Sequence, residues 1–222
     1  MTDESDIRSR LLALDTPTLS DALDALGHGG AVTGLVALTV RGRVAGRVRT
    51  VRLGAPVAGL PKVHLGTRAI MAADPGDIIV VEHRGRLDVS GWGGLLSRGA
   101  LARGVAAVVV DGAVRDVDEA AELGLPVFAR AGVAVTARGR VAELGFEEPV
   151  TIAGVAVKPG DWVIADASGT VFLPADQIAS ILGVAERIFA REQLMARDIA
   201  SGIPITEVMG RDYENLLGEI VK

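Results

Sequence analysis

The centre of the chain alternates strand-like and helix-like segments, and this alternation is the feature that most constrains the fold. Runs of small apolar residues in "PGDIIVVEH", "VAAVVV" and "PVFARA" predict buried strands, the first over Ile78–Val81 and the second ending at Val110. Helical spacing follows from about Leu95 to Arg103, and again in "VDEAAELG", which ends at Gly124. Strands separated by helices favour neighbouring parallel strands covered by helices, so an α/β fold is predicted.

The flanking segments add a strand and helices to this centre. "DTPTLSDALDALGHGG" predicts a short helix that is capped by Thr16 and ended by Gly27, and "GRVAGRVRTVRL" predicts a half-exposed strand. "PADQIASILGVAERIFAREQLMARDIASG" predicts a long amphipathic helix, and "IPITEVMGRDYENLL" a loop and a final short helix. No Ser/Gly-rich linker or low-complexity segment separates these flanking segments from the centre. We therefore expect a domain over residues 1–174 and a C-terminal helical arm over 175–222, in one folding unit.

Composition excludes several classes of protein. The 222 residues include no cysteine, which excludes disulfides, thiolate catalysis and Cys-ligated metals. The net charge is −5 and no basic patch with interleaved aromatics is visible, so a nucleic-acid partner is not expected. The N-terminus lacks the apolar core of a signal peptide, and no apolar run approaches ~18 residues, so no membrane association is expected. A cytoplasmic protein is predicted.

The glycine-rich stretch "GWGGLLSRG" opens a predicted helix. The free amides of Leu95 and Leu96, at a helix N-terminus, could bind a carboxylate or a developing oxyanion. A tight turn that needs glycine for a positive φ is the other interpretation, and the stretch alone favours it.

Arg115 and Asp116 follow a predicted strand and a glycine turn. Ligands of open α/β sheets collect at the carboxyl ends of strands. Arginine can bind a carboxylate with two hydrogen bonds, and aspartate suits Mg²⁺ or Mn²⁺, so the pair could clamp a 2-oxo acid. An exposed local ion pair of little consequence explains the spacing equally well.

The other polar residues carry weaker predictions. Glu119 lies one helical turn beyond Arg115 and could orient it or a metal-bound water, whereas Asp118 is expected to face solvent and Asp111 to cap the turn. Histidines 28, 64 and 83 are dispersed and form no metal-binding pair. Acids on the C-terminal helix are usually a solvated face.

The segment "PGDIIVVEH…WGGLLSRGALARGVAAVVVDGAVRDVDEAAELGLPVFAR" resembles the RraA-like family, and the resemblance resumes in "GVAVKPGDWVIADASGTVFLP". That family includes the regulators of ribonuclease activity A and the class II 4-hydroxy-4-methyl-2-oxoglutarate and 4-carboxy-4-hydroxy-2-oxoadipate aldolases. The resemblance implies a swivelling β/β/α fold and a homotrimer, often paired into a hexamer, with active sites between subunits. It also implies Mg²⁺ or Mn²⁺, and retro-aldol cleavage that releases pyruvate together with oxaloacetate decarboxylation.

Residue roles follow from the same resemblance. It implies that Arg115 binds the pyruvyl unit, that Asp116 holds the metal, and that the loop of Gly93 and Gly94 and the amides of Leu95 and Leu96 receive the substrate carboxylate. Glu192, with Glu186 as a competitor, is identified as the acid that reaches in from a neighbouring subunit. The aldolases often carry Asp where this chain has Gly94, and Glu119 is a candidate to compensate for it.

Two other functions remain open at this point. A non-catalytic regulator that binds and inhibits a ribonuclease or another protein would need neither metal nor turnover, and the Arg115-Asp116 pair argues against it. A quinone methyltransferase, a label attached to some members of the family, would need a methyl-donor glycine loop, which does not follow the first strand.

Overall fold

A computed structural model describes residues 3–59 and 63–210. The helices in those ranges are α1 (Glu4–Ala13), α2 (Thr16–Ala25), α3 (Thr67–Ala72), α4 (Gly94–Ala102), α5 (Val117–Glu122), α6 (Ile178–Ala200) and α7 (Ile205–Val208). The strands are β1 (Ala31–Val32), β2 (Val36–Ala37), β3 (Val44–Gly54), β4 (Ile78–Ser90), β5 (Ala107–Val114), β6 (Val127–Gly132), β7 (Ala142–Phe146), β8 (Val150–Ile152), β9 (Val155–Val157), β10 (Trp162–Ala165) and β11 (Thr170–Leu173).

A nine-stranded mixed sheet carries the fold, in the order β1-β11-β10-β3-β4-β5-β6-β2, with β7 paired to β3. The four strands from β3 to β6 are parallel, in a register that places Ile79 beside Val108. Every residue of β5 is buried, as are the first six of β4. The predicted α/β class and the parallel centre are therefore confirmed.

Alternate residues of these strands face two apolar layers. One layer packs β3, β4 and β5 against α3, α4 and α5, and includes Ile79 and Val108. The opposite layer packs the same strands against the β8-β9 hairpin and includes Ile78 and Val109. The side chains divide in this way because successive residues of a strand point to opposite faces.

A third apolar cluster joins both ends of the chain. Helices α1, α2 and α6 cover β10 and β11, and α6 buries Ile181, Leu182 and Ala185 there. The predicted C-terminal helix is therefore present, and its second half is largely exposed. The short α7 lies in the first part of the segment for which a loop and then a final short helix are predicted, and the rest of that segment, from residue 211 onward, lies outside the described residues.

Three local predictions need correction. Asp15 rather than Thr16 caps α2, because the Asp15 carboxylate accepts a hydrogen bond from the Thr18 amide (2.9 Å), whereas Thr16 donates to Asp166. The strand predicted to end at Val81 continues to Ser90, and the one predicted to end at Val110 continues to Val114.

Within the described ranges, no helix combines the length and apolarity that a membrane span requires.

Candidate active site

The predicted glycine loop and the Arg115-Asp116 pair meet at the carboxyl ends of β4 and β5. The amide of Gly91 donates to the carbonyl of Ala113 (2.8 Å), and the amide of Arg115 donates to the carbonyl of Trp92 (3.0 Å). These two bonds hold the loop before α4 alongside the end of β5. The sheet therefore brings together two segments that are about twenty residues apart in sequence.

The space beside the loop glycines Gly93 and Gly94 is filled by neighbouring side chains, and neither glycine has a positive φ. Gly93 is extended (φ −162°), and Gly94 has no positive φ either. A Cβ added at Gly93 would lie 2.9 Å from Oδ2 of Asp116, and one added at Gly94 would lie 1.9 Å from Oε2 of Glu119. The positive-φ interpretation of this stretch is therefore wrong, and the absent side chains make room for two carboxylates.

Asp116 is held in an unusual backbone conformation. Its φ of 56° and ψ of 40° lie in the left-handed region, which costs a non-glycine residue about 1–2 kcal/mol. Its Oδ2 accepts a hydrogen bond from the amide of Gly94 (2.8 Å), in the first turn of α4. The strain and the bond together fix the carboxylate at the N-terminus of a neighbouring helix, a pattern often found at functional sites.

Hydrogen-bonding groups remain available around this carboxylate. The Nε of Arg115 lies 3.3 Å from Oδ2 of Asp116, and the arginine side chain is 40% exposed. Within the described ranges, the terminal nitrogens of Arg115 and the amides of Leu95 and Leu96 have no hydrogen-bond partner. The helix dipole adds positive potential at those amides. The arrangement can therefore bind an anion such as a carboxylate.

These groups line an open cleft with a volume of about 260 Å³. Trp92 and Leu96 form part of its floor, and Trp92 is anchored by a hydrogen bond from its Nε1 to Ser97 Oγ (3.0 Å). The far wall comes from segments 63–65 and 136–138. Leu95, which also lines the cleft, is 80% exposed. The cleft has the size of a small-molecule site, with apolar walls and few polar groups.

Glu119 lies next to Asp116 at this helix terminus. Its Oε1 accepts a hydrogen bond from Arg98 Nε (2.6 Å), and its Oε2 approaches Gly94. Among the described residues, no group of three or more His, Asp or Glu side chains could hold a metal. Two carboxylates suit Mg²⁺ or Mn²⁺, because Mg²⁺ in proteins commonly keeps several waters and uses one or two carboxylates together with substrate. The carboxylates of Asp116 and Glu119 are therefore donors of the type that such an ion uses, and one oxygen of each already accepts a hydrogen bond.

Glu192 does not line the cleft of its own chain. It lies on α6, near α2, and partial burial, together with the negative charges of Asp15 and Asp21, raises the pKa of its carboxyl. Its competitor Glu186 accepts two hydrogen bonds from Arg10 (2.7 and 3.0 Å). The reach of Glu192 into a neighbouring subunit stays a prediction, whereas Glu186 has a structural partner within the chain.

Two further polar residues, Asp111 and His83, have structural partners inside the fold. Asp111 does not cap a turn: it is buried inside β5, where it accepts hydrogen bonds from Arg130 (2.6 Å) and from the amide of Ala153 (3.0 Å). His83 is buried behind the loop, its ring bonded to the carbonyl of Val89, and burial lowers the pKa of its imidazole.

Sequence reasoning did not find three polar residues of the site region. Arg98 pairs with Glu119, while His64 and Arg138 lie in the far wall of the cleft. Arg98 could have been identified from the sequence, because it lies in the first turns of the helix that begins at Gly94. No local pattern identifies the other two, because only the tertiary fold brings their loops to the cleft.

Comparison with known proteins places these features in a family. The model of the RraA-like family, described as Aldolase/RraA, matches residues 16–172. Protein DlpA of Legionella pneumophila is 30% identical over 92% of this chain, although the chain spans only 33% of the length of DlpA. A Thermus thermophilus protein named 4-hydroxy-4-methyl-2-oxoglutarate aldolase is 36% identical over 60% of this chain and 77% of its own.

Solved structures agree with this relationship. An uncharacterized protein from Pseudomonas syringae superposes with a TM-score of 0.86 at 28% identity, over 94% of both chains. Streptomyces coelicolor RraAS2, described as an unusual member of the RNase ES inhibitor RraA family, has a TM-score of 0.79 at 25% identity, over 88% of this chain and 98% of its own. With the family model matched across the sheet and the candidate site, the chain belongs to the RraA-like family.

Proposed function

We propose that this chain is a divalent-metal-dependent lyase that cleaves a 2-oxo acid through a pyruvate enolate. Its substrates would be of the 4-hydroxy-4-methyl-2-oxoglutarate type, oxaloacetate, or both. One observation carries the proposal: Arg115 and the strained Asp116 lie at the N-terminus of α4, beside the amides of Leu95 and Leu96, which have no hydrogen-bond partner among the described residues. The aldolase name of the Thermus relative supports the same reaction class.

The groups of the site would have two roles: to bind the substrate carboxylate and to stabilise the negative charge that develops on the enolate. The amides of Leu95 and Leu96 would bind the 2-oxo acid carboxylate, as helix N-termini bind anions. Arg115 would donate to the carboxylate and the 2-keto oxygen, so its charge would oppose the negative charge that develops as the enolate forms. The absence of a side chain at Gly93 and Gly94 lets the carboxylates of Asp116 and Glu119 approach the N-terminus of α4.

Both reactions break the bond between C3 and C4 and leave its electron pair in the enolate of pyruvate. In the retro-aldol reaction, the 4-hydroxyl loses its proton as C4 becomes a carbonyl, so a base is needed. We assign that role to a water held by Glu119 or by Glu192 of a neighbouring subunit. Decarboxylation releases CO₂ without such a base, so we expect it to tolerate changes at Glu119 better. Protonation of C3 then yields pyruvate in both cases.

Asp116 would hold Mg²⁺ or Mn²⁺, partly through water, and Glu119 would bind one of those waters. A bound divalent ion supplies Lewis-acid stabilisation of the enolate charge. Glu119 would thereby provide the carboxylate that Gly94 lacks, in the space that a side chain at position 94 would fill. We also propose a homotrimer, alone or paired into a hexamer, that places Glu192 of one subunit at the cleft of the next.

Pyruvate release tests the proposal. We would measure it from oxaloacetate and from 4-hydroxy-4-methyl-2-oxoglutarate, with Mg²⁺ or Mn²⁺ and with a chelator, for the parent protein and for Asp116→Asn. The proposal predicts release that needs metal and that falls at least ~100-fold in the variant, because the metal would lose its carboxylate. Release from either substrate at the same rate in both proteins would rule out the assigned metal site.

A non-catalytic inhibitor of a ribonuclease is the second candidate, because the fold matches RraAS2 of Streptomyces coelicolor. This candidate predicts no turnover of either 2-oxo acid and a slower ribonuclease when the chain is added. The same protein preparation can be used for both assays, so each candidate can be rejected independently.

A further inference from the structure

We propose that Arg138 binds a second carboxylate of the substrate, so that the cleft selects 2-oxo dicarboxylates over 2-oxo monocarboxylates. This inference rests on the proposed function, in which Arg115 and the α4 amides bind the 2-oxo acid end. Arg115 follows β5 and Arg138 precedes β7, and both residues line the cleft. We infer that a ligand held by Arg115 at one end places its other end within reach of Arg138.

Charge in the cleft has one sign. Within the described ranges, the ionised side chains that line it are those of Arg115 and Arg138, and no aspartate or glutamate is among the lining residues. The rest of the lining is small or apolar, such as Val63 and Val141. A monocarboxylate would leave the second arginine without an anion. A dianion with a short carbon chain would satisfy both cations and place its carbon atoms against the apolar walls.

Arg138 is also free to serve a ligand. Arg138 is exposed, and within the described ranges its guanidinium group makes no hydrogen bond or ion pair. Many other arginines of the chain are paired; Arg130, for example, binds the buried Asp111 (2.6 Å). An unpaired guanidinium on a cleft wall retains all its donors for a carboxylate, which it can bind with two parallel hydrogen bonds.

The backbone that carries Arg138 is well defined. The amide of Arg138 donates to Thr136 Oγ1 (3.3 Å), and the amides of Arg140 and Val141 both donate to the carbonyl of Ala137 (2.9 Å). These bonds form a tight turn immediately before β7. The turn fixes the position from which the side chain extends, so a ligand needs to order only the side chain.

Binding of two inert ligands tests this role. 2-Oxoglutarate has no 4-hydroxyl to support retro-aldol cleavage and is not a β-keto acid, so it should not turn over. 2-Oxovalerate has the same number of carbons but lacks the distal carboxylate. We expect titration calorimetry with Mg²⁺ to show at least about tenfold tighter binding of 2-oxoglutarate, as a charge-assisted hydrogen bond would supply.

Arg138→Gln should remove this preference while leaving 2-oxovalerate binding unchanged, and Arg138→Lys should retain part of it. Arg41→Gln is the matched control, since Arg41 is also exposed but does not line the cleft. Equal affinities in the parent protein, or an undiminished preference in Arg138→Gln, would overturn the role of Arg138 and leave the proposed function standing. Failure of both ligands to bind the parent protein would overturn both.

Discussion

At the scale of single residues, the candidate site depends on space left by two missing side chains. The Glu119 carboxylate occupies the volume that a side chain at position 94 would need, because a Cβ there would lie 1.9 Å from that carboxylate. The resemblance to the RraA-like aldolases implies Glu119 as a candidate to compensate for Gly94, and the Glu119 carboxylate lies beside that position. The metal-related role that we propose for Glu119 follows from this arrangement.

Replacement of Gly94 by alanine should therefore impair the site without unfolding the protein. We expect Gly94→Ala to lower kcat/KM for pyruvate release from 4-hydroxy-4-methyl-2-oxoglutarate at least about tenfold, because Glu119 must move, as displaced catalytic groups typically cost that much or more. Gly99→Ala, on the same helix, is the control: its Cβ would meet only Ile70 at 3.6 Å. Alanine there should raise stability by up to about 1 kcal/mol and leave activity intact. Normal activity in Gly94→Ala would refute the assignment of this space to Glu119.

At the scale of elements, the far wall of the cleft is held by a buried carboxylate on β7. The Glu143 side chain is fully buried and accepts hydrogen bonds from the amide of Gly66 and from Arg68 Nε, both at 2.6 Å. Gly66 begins α3 in the left-handed region (φ 71°), directly after the wall segment 63–65. One side chain thus ties this wall to the sheet.

Loss of the charge on Glu143 should weaken both the fold and the cleft. We expect Glu143→Gln to lower the free energy of unfolding by about 2 kcal/mol, because an arginine partner is lost and a buried polar group is left imperfectly paired. Glu148→Gln should change it by less than about 0.5 kcal/mol, since its pair with Arg52 is exposed. Urea denaturation measures both. A larger effect at Glu148 than at Glu143 would contradict this account of the wall.

Elements could be predicted from the sequence where one local pattern determines them. Continuous apolar runs identify β4 and β5, and glycine followed by helical spacing identifies α4. The extension of β5 through Asp111 was not predictable, because the arginine that neutralises this buried acid lies on the next strand. The far wall was not predictable either, since β7 reaches it through antiparallel pairing with the distant β3, with a register shift at Arg52 and Leu53.

At the scale of the whole molecule, Glu192 is the residue whose role depends on assembly. Burial and the negative charges of Asp15 and Asp21 raise the pKa of its carboxyl in the folded chain. Such a group favours the folded state when it is protonated, and this contribution is lost as the pH rises from about 4.5 through the raised pKa. At neutral pH, the ionised carboxylate therefore opposes folding.

Thermal unfolding checks the sign of this effect. Glu192→Gln should raise Tm at pH 7 and have no such effect near pH 4, where the unfolded carboxyl is also largely protonated. Glu186→Gln should lower Tm at pH 7, because it loses the pair with Arg10. A lower Tm for Glu192→Gln at pH 7 would mean that its charge stabilises the fold.

Mixed oligomers test whether the site is shared between subunits. Arg115→Ala and Glu192→Gln should each lose retro-aldol activity alone. Co-expressed in equal amounts, they should regain about a quarter of the parent activity, because random assembly gives that fraction of sites an intact Arg115 and an intact neighbouring Glu192. Preparations that stay inactive after mixing would place both residues in one subunit or remove Glu192 from the site.

The central claim is that Arg115 promotes formation of a pyruvate enolate in the cleft. The most direct measurement is the initial rate of pyruvate release from oxaloacetate with saturating Mg²⁺, for the parent protein and Arg115→Ala, after subtraction of the rate with Mg²⁺ alone. We predict a fall of at least ~100-fold, as expected when charge stabilisation of the transition state is removed, with Tm unchanged. A folded Arg115→Ala protein that releases pyruvate at the parent rate would contradict the claim.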